Sequence, residues 1–89
     1  MKLRGEFVLR DIAGDIVVIP VGKTALEFQG MIVLNEVSEF IWKCLENDTT
    51  FVMLVEKVTG EFEVDQETAR TDISEFLEKL REYDLLQEN

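Results

Sequence analysis

The side chains that could do chemistry in this chain are nineteen carboxylates and one thiol, Cys44. The sequence contains no histidine, so neither a Ser-His nor a Cys-His pair can activate a nucleophile. A metal site would have to use carboxylates, alone or with Cys44, and no ligand spacing indicates one. The five glycines stand singly, without the spacing of a phosphate-binding loop. We therefore expect no catalytic residue, no metal and no cofactor, and we interpret the chain as a non-enzymatic protein.

Cys44 itself is better explained by packing than by reactivity. It recurs on one helical face with Phe40, Ile41 and Leu45, and free cysteines are among the most often buried residues. Trp42 lies one step off this face, where it either covers the edge of the core or contributes to a surface for a partner enzyme.

The charge of the chain narrows the choice of partners. There are 9 basic and 19 acidic residues, a net charge of −10. Residues 1–34 carry four of each sign, whereas residues 35–89 carry five basic and fifteen acidic side chains. Affinity for nucleic acids comes largely from Lys and Arg that displace counterions, and anionic membranes attract the same residues. The composition therefore argues against a nucleic acid or a membrane surface as partner.

The length of 89 residues predicts a single domain, residues 1–89, with one modest core. No apolar run in the sequence approaches the ~20 residues of a membrane span. Lys2, Arg4 and Glu6 stand where a secretory signal would have its apolar stretch, which favours a cytoplasmic protein.

Three segments in the first part of the chain have the composition of β-strands. Residues 7–12 and 16–19 are rich in β-forming residues, and the short connection around Gly14 predicts an antiparallel hairpin. A second turn is expected at residues 29–30, before a third apolar strand at residues 31–34. Residues 24–28 fit either a short strand or an ordered loop.

After residue 34 the apolar period changes to that of helices. Asn35, Thr50 and Asp65 are each placed to cap the start of a helix, and the sequence around residues 47–48 and at Gly60 indicates where the first two end. The predicted order is β-β-β-α-α-α. This predicts an α+β fold of the winged helix-turn-helix type, with a small antiparallel three-stranded sheet followed by a three-helix bundle.

A fold with this outline also occurs in DNA-binding proteins, but fold alone does not determine function. The predicted third helix, residues 65–84, carries three basic and seven acidic residues, a poor surface for a DNA groove. A winged-helix transcriptional regulator therefore remains only an alternative, as does a non-catalytic subunit of an enzyme complex.

Four segments carry a family resemblance: residues 7–20, residues 30–36, Phe40-Ile41-Trp42 and residues 76–86. Together they resemble the PqqD family, named for coenzyme PQQ synthesis protein D, over about residues 7–87, and the strand-to-helix junction from Gly30 to Trp42 is the most specific part. The resemblance implies a RiPP recognition element, which binds the leader of a precursor of a ribosomally synthesised, post-translationally modified peptide (RiPP). Such a domain does no chemistry itself. It presents the precursor to a modifying enzyme, often a radical S-adenosylmethionine (SAM) enzyme.

The resemblance also implies where the leader binds: as an extra strand on the third strand, in the groove against the third helix. Met31, Ile32, Val33 and Leu34 are therefore the expected peptide-binding edge. This segment has neither charge nor Pro, two features with which proteins block open edges. The alternative is that the strand is central and buried. An open edge also permits edge-paired or domain-swapped homodimers.

On the third helix we predict side-chain contacts with the peptide from Arg70, Ser74, Leu77 and Arg81. These four residues form one stripe along the helix, next to the main apolar stripe. The main stripe is already complete without Leu77. The resemblance implies that leaders are often acidic, which would suit the two arginines. The alternative is that Leu77 broadens the core and the arginines pair with glutamates three or four residues away.

Overall fold

The computed structural model describes residues 1–28 and 30–88. In chain order the elements are β1 (Lys2–Leu3), β2 (Phe7–Ile12), β3 (Asp15–Pro20), α1 (Thr24–Glu27), β4 (Ile32–Leu34), α2 (Glu36–Cys44), α3 (Phe51–Glu61), α4 (Gln66–Glu82) and β5 (Leu86–Gln87). The predicted fold class is confirmed, with β2, β3 and β4 as the three-stranded sheet. Residues 24–27 form a single helical turn, neither the strand nor the loop expected there. The turn predicted at residues 29–30 includes residue 29, which lies outside the described residues.

The hairpin of β2 and β3 forms because its two-residue turn has the required backbone twist. Ala13 and Gly14 both have positive φ, 55° and 92°, as a type I′ turn needs. Asp11 fastens the turn, since its Oδ1 accepts a hydrogen bond of 2.9 Å from the amide of Gly14. The strands then pair from Ile12 opposite Asp15 to residue 7 opposite residue 20.

The order of strands in the sheet is β2-β3-β4, which leaves β4 at an edge. β4 pairs antiparallel with β3, with Ile32 opposite Val18 and Leu34 opposite Ile16. The side chains of Ile32 and Leu34 are buried in the core, whereas Val33 between them points to solvent. The sheet therefore presents one face to the helices and ends at β4.

The three long helices start where the caps were predicted. Asn35, Thr50 and Asp65 have extended backbones, and each side chain accepts a hydrogen bond from the amide three residues on. These contacts satisfy amides that have no partner within the helix. The predicted starts are confirmed, because each helix begins at the residue after its cap.

The core lies between the sheet and the helices. Ile32 and Leu34 of β4 meet Ile41 of α2, Leu54 of α3 and Leu80 of α4 in one hydrophobic cluster. Trp42 is buried in the same cluster, so of the two roles considered for it the structure shows packing. Among the described helices, none is long and apolar enough to cross a lipid bilayer.

The sequence analysis missed a second small sheet, in which the two ends of the chain pair. β1 and β5 are antiparallel, with Leu3 opposite Leu86. The amide of Leu3 also donates to the carbonyl of Leu45 (2.9 Å), and that of Arg4 donates to the carbonyl of Leu85 (2.8 Å). This clasp fixes the end of α2 against the end of α4.

The position of Leu80 at the centre of the core predicts a large effect of truncation. Leu80 is 0% exposed and Leu26, on α1, is 83% exposed. Leu80→Ala should lower the free energy of unfolding by about 2–5 kcal/mol, because it leaves a cavity. The matched change Leu26→Ala should alter it by less than about 0.5 kcal/mol. Urea unfolding followed by circular dichroism measures both, and equal losses would contradict the described core.

Candidate functional site

One hydrogen bond just beyond the end of β3 shows to which side each N–H and C=O group of this strand points. The amide of Val21 donates to the carbonyl of Glu6 at 3.0 Å, so these residues form a hydrogen-bonded pair across the hairpin. In an antiparallel sheet the N–H groups of successive residues point to opposite sides of the strand. Ile16 and Val18 lie an odd number of residues from Val21. Their N–H and C=O groups therefore face β4.

Val33 is consequently the residue of β4 whose backbone faces away from the sheet. Ile32 and Leu34 lie opposite Val18 and Ile16 and direct their N–H and C=O groups to β3. The N–H and C=O of Val33 then point off the edge, where no other strand of the described chain lies. The side chain of Val33 is 54% exposed and that of Met31 is 68% exposed. The edge thus offers an uncharged, accessible backbone.

A groove of about 500 Å³ lies beside this edge. One wall is the end of β4 with the first turn of α2, and the other wall is α4. Its lining consists of Val33, Asn35, Glu36, Val37, Ser38 and Ile41 on one side and Asp72, Glu75, Phe76 and Lys79 on the other. Phe76 belongs to the core and is 8% exposed, so its ring forms part of the floor of the groove. The groove therefore combines an open strand with an apolar floor and a polar rim.

The capping box of α2 closes the edge at its far end. The amide of Asn35 donates to Oγ of Ser38 (2.8 Å), and the amide of Ser38 donates to Oδ1 of Asn35 (2.8 Å). The carbonyl of Asn35 accepts from the amide of Glu39 (2.9 Å). Both backbone groups of Asn35 are thus committed to α2.

Aromatic contacts hold the part of the chain that precedes β4. The ring of Phe28, just before β4, meets that of Tyr83 at the end of α4, with 5.7 Å between the ring centroids. Phe28 also contacts Phe7 (6.2 Å), which in turn contacts Trp42 (5.4 Å). All three pairs are edge-to-face, an arrangement that the ring quadrupoles favour. They tie the segment before β4 to both α2 and α4.

Comparison of the chain with known proteins identifies its family. The model of the family described as "Coenzyme PQQ synthesis protein D (PqqD)" matches residues 6–86. The chain belongs to the PqqD family. A comparison with curated proteins gave no significant match.

A solved structure similar to this PqqD-family domain is described as "TbiB1 in Complex with the TbiA(beta) Leader Peptide". The TM-score is 0.74 and the sequence identity is 25%, over 100% of this chain and 98% of that chain. TbiB1 thus has the same fold over nearly all of the matched chain, and its structure contains a leader peptide.

Of the four residues predicted on α4, Arg70, Ser74 and Arg81 lie on the flank of the helix away from the groove. The fourth, Leu77, is only 2% exposed and belongs to the core. Arg70 lines a separate pocket with residues of α3, and Arg81 lines another with Thr50 and neighbouring residues. Ser74 is exposed and is not part of the groove lining. This stripe therefore does not line the groove beside β4, and its contact with a peptide stays a prediction. The alternative left open by the sequence, that Leu77 broadens the core, is confirmed.

Arg81 is also engaged by neighbouring carboxylates. Its guanidinium contacts Glu88 at 2.9 Å and Glu78 at 3.2 Å. The hydrogen bond to Glu88 raises the pKa of Arg81, and the same bond lowers the pKa of Glu88. The pairing with Glu78, three residues earlier, was the alternative expected from the sequence.

The groove residues on α4 were missed in the sequence analysis. Asp72, Glu75 and Lys79 follow one another at spacings of three and four, which puts them on one stripe. Charged residues at this spacing are typical of an ordinary solvated helix face, so the sequence alone does not mark them as a site.

Cys44 in this PqqD-family domain is half-buried against the core. Burial raises the pKa of the Cys44 thiol, and the nearby Lys57 opposes this only partly. A raised pKa means less of the reactive thiolate at any given pH below it. Within residues 1–28 and 30–88 there is also no group of three or more His, Cys, Asp or Glu side chains that could hold a metal ion.

The raised pKa predicts that the Cys44 thiol reacts slowly in the folded domain. Alkylation by iodoacetamide at pH 8 should be several-fold slower than in concentrated urea, where burial is removed. Cys44→Ala should cost only about 1 kcal/mol of stability. Mass spectrometry gives the alkylation rates and urea unfolding gives the stability. Faster alkylation of the folded protein would contradict the described environment of the thiol.

Proposed function

We propose that this domain binds the leader segment of a RiPP precursor peptide and presents the precursor to a modifying enzyme. The leader adds as a strand to the edge of β4 and lies in the groove against α4. The domain contributes binding and orientation, and the partner enzyme, a radical SAM enzyme or another RiPP-modifying enzyme, contributes the chemistry. This proposal goes beyond the family assignment in naming the edge, the groove and the partner.

The observation that carries the proposal is the open backbone of Val33 beside the groove. An extended peptide paired with Val33 gains main-chain hydrogen bonds, and its alternate side chains point into the groove or to solvent. The similarity to TbiB1, whose structure contains a leader peptide, supports a peptide as the occupant. The absence of charge and Pro at residues 31–34 supports strand addition, because these are two of the features with which proteins block an open edge.

Amide exchange tests this proposal at single-residue level. The probe is the synthetic leader of a precursor peptide whose gene is found next to the gene of this domain, titrated into the isotope-labelled domain. At a peptide concentration of about 100 Kd, exchange of the Val33 amide should slow by about 100-fold, since only the unbound fraction exchanges. The amides of Ile32 and Leu34 should change much less, because they already bond to β3. Slow exchange of Val33 that depends on protein concentration, without peptide, would indicate a second copy on the edge instead.

A matched pair of variants at Val33 separates backbone pairing from side-chain contact. Val33→Pro removes the outward N–H but is tolerated at a sheet edge, and Val33→Thr keeps the N–H and the branched shape. Val33→Pro should weaken leader binding by about tenfold or more, the equivalent of one lost hydrogen bond and a steric clash. Val33→Thr should stay within about twofold of the parent. Calorimetric titration measures both, and equal affinities for the two variants would refute strand addition.

The arginines on the far flank of α4 provide a second test. Arg70→Gln/Arg81→Gln should leave the fold intact, because both side chains are exposed and exposed ion pairs contribute little. Leader affinity should stay within about twofold of the parent, since neither side chain lines the groove. A large loss of affinity in this variant would indicate that the peptide binds along the other flank of α4, and would contradict binding in the groove.

A further inference from the structure

The rim of the groove is acidic. Glu36 on α2 and Asp72 and Glu75 on α4 line it, together with a single cation, Lys79. All four side chains are exposed, and none of them takes part in an ion pair with another described residue. Three carboxylates therefore face the groove with one ammonium group to offset them. A peptide lying along β4 passes this rim.

The helix dipole of α2 does not reverse this sign. The N-terminus of a helix normally attracts anions, because its first amides point outward. Here the side chain of Asn35 accepts the amide of Ser38, and Glu36 and Glu39 lie in the first turn. The partial positive charge is thus already balanced from within the chain. An acidic peptide side chain would gain little there and would be repelled by Glu36.

The floor of the groove favours an apolar side chain. Phe76 and Ile41 are core residues that reach the groove, and Val37 is partly buried beside them. An apolar peptide side chain placed here would cover the exposed part of Val37 and the small exposed part of Phe76, which is 8% exposed. The groove is therefore suited to a peptide that has an apolar residue with a cationic residue near it.

We propose that the groove selects leader segments in which an apolar residue, seated over Phe76, is accompanied by a Lys or Arg that pairs with Asp72 and Glu75. This inference rests on the proposed function and adds the chemical class of the peptide. It differs from the expectation of an acidic leader that accompanied the family resemblance. The net charge of −10 acts in the same direction, since it raises the rate at which a cationic peptide meets the domain.

The test is selection from a library of random twelve-residue peptides displayed on phage, followed by affinity measurement on synthetic copies of the enriched peptides. Four proteins are compared: the parent, Asp72→Asn/Glu75→Gln, the charge-matched control Glu63→Gln/Glu67→Gln, and Val33→Pro. Glu63 and Glu67 are exposed and lie outside the groove lining, so the control changes the net charge equally. The measurement is repeated at low and high salt.

The parent should enrich peptides with Lys or Arg next to an apolar residue. Asp72→Asn/Glu75→Gln should bind these peptides about threefold to tenfold more weakly at low salt, the range expected for two exposed charge pairs. The difference should shrink at high salt, because exposed pairs are screened. Binding by the Glu63→Gln/Glu67→Gln control should remain within about twofold of the parent.

The two proposals fail in different ways. Enriched peptides that lose binding to Val33→Pro but carry no preferred cation would overturn the charge selection and leave strand addition standing. An equal loss in both double variants would show attraction to the net charge alone and would also overturn the selection. Peptides that bind the parent and Val33→Pro equally would overturn strand addition itself.

Discussion

The structure depends on how β4 is held from one side only. Its inward side chains, Ile32 and Leu34, are buried among the helices, and its hydrogen bonds go to β3. These two attachments hold the strand on one side and leave its other edge without a partner strand in the described part of the chain. Every feature of the candidate site follows from that asymmetry: the outward backbone of Val33, the groove toward α4 and the exposure of Met31. Had a further strand covered β4, the fold would lack the site.

Much of the fold could be predicted because its signals are local. The hairpin turn at Gly14 and the caps at Asn35, Thr50 and Asp65 each depend on a few neighbouring residues, and the structure confirms all of them. The clasp of β1 and β5 could not be found in this way. Its strands are two residues long and lie at opposite ends of the sequence, so neither hydrophobic period nor turn chemistry marks them.

The sequence prediction of the site named one flank of α4, whereas the groove beside β4 lies along the other flank, and the reason is geometric. The apolar stripe of α4 has two flanks, one with Asp72 and Lys79 and the other with Arg70 and Arg81. Periodicity identifies both flanks but contains no information about which one turns toward β4. That choice is made by the packing of α4 against α3 and the sheet. The preference for arginines as peptide contacts led the sequence prediction to the flank with Arg70 and Arg81.

The capping box of α2 sets the length of any ladder that forms on β4. Beyond Val33 the next outward-facing residue is Asn35, whose N–H and C=O are already bonded within α2. A strand added as proposed would therefore find its last outward-facing partner at Val33 in that direction. Because so few main-chain bonds are on offer, discrimination between strands falls to the side chains that enter the groove.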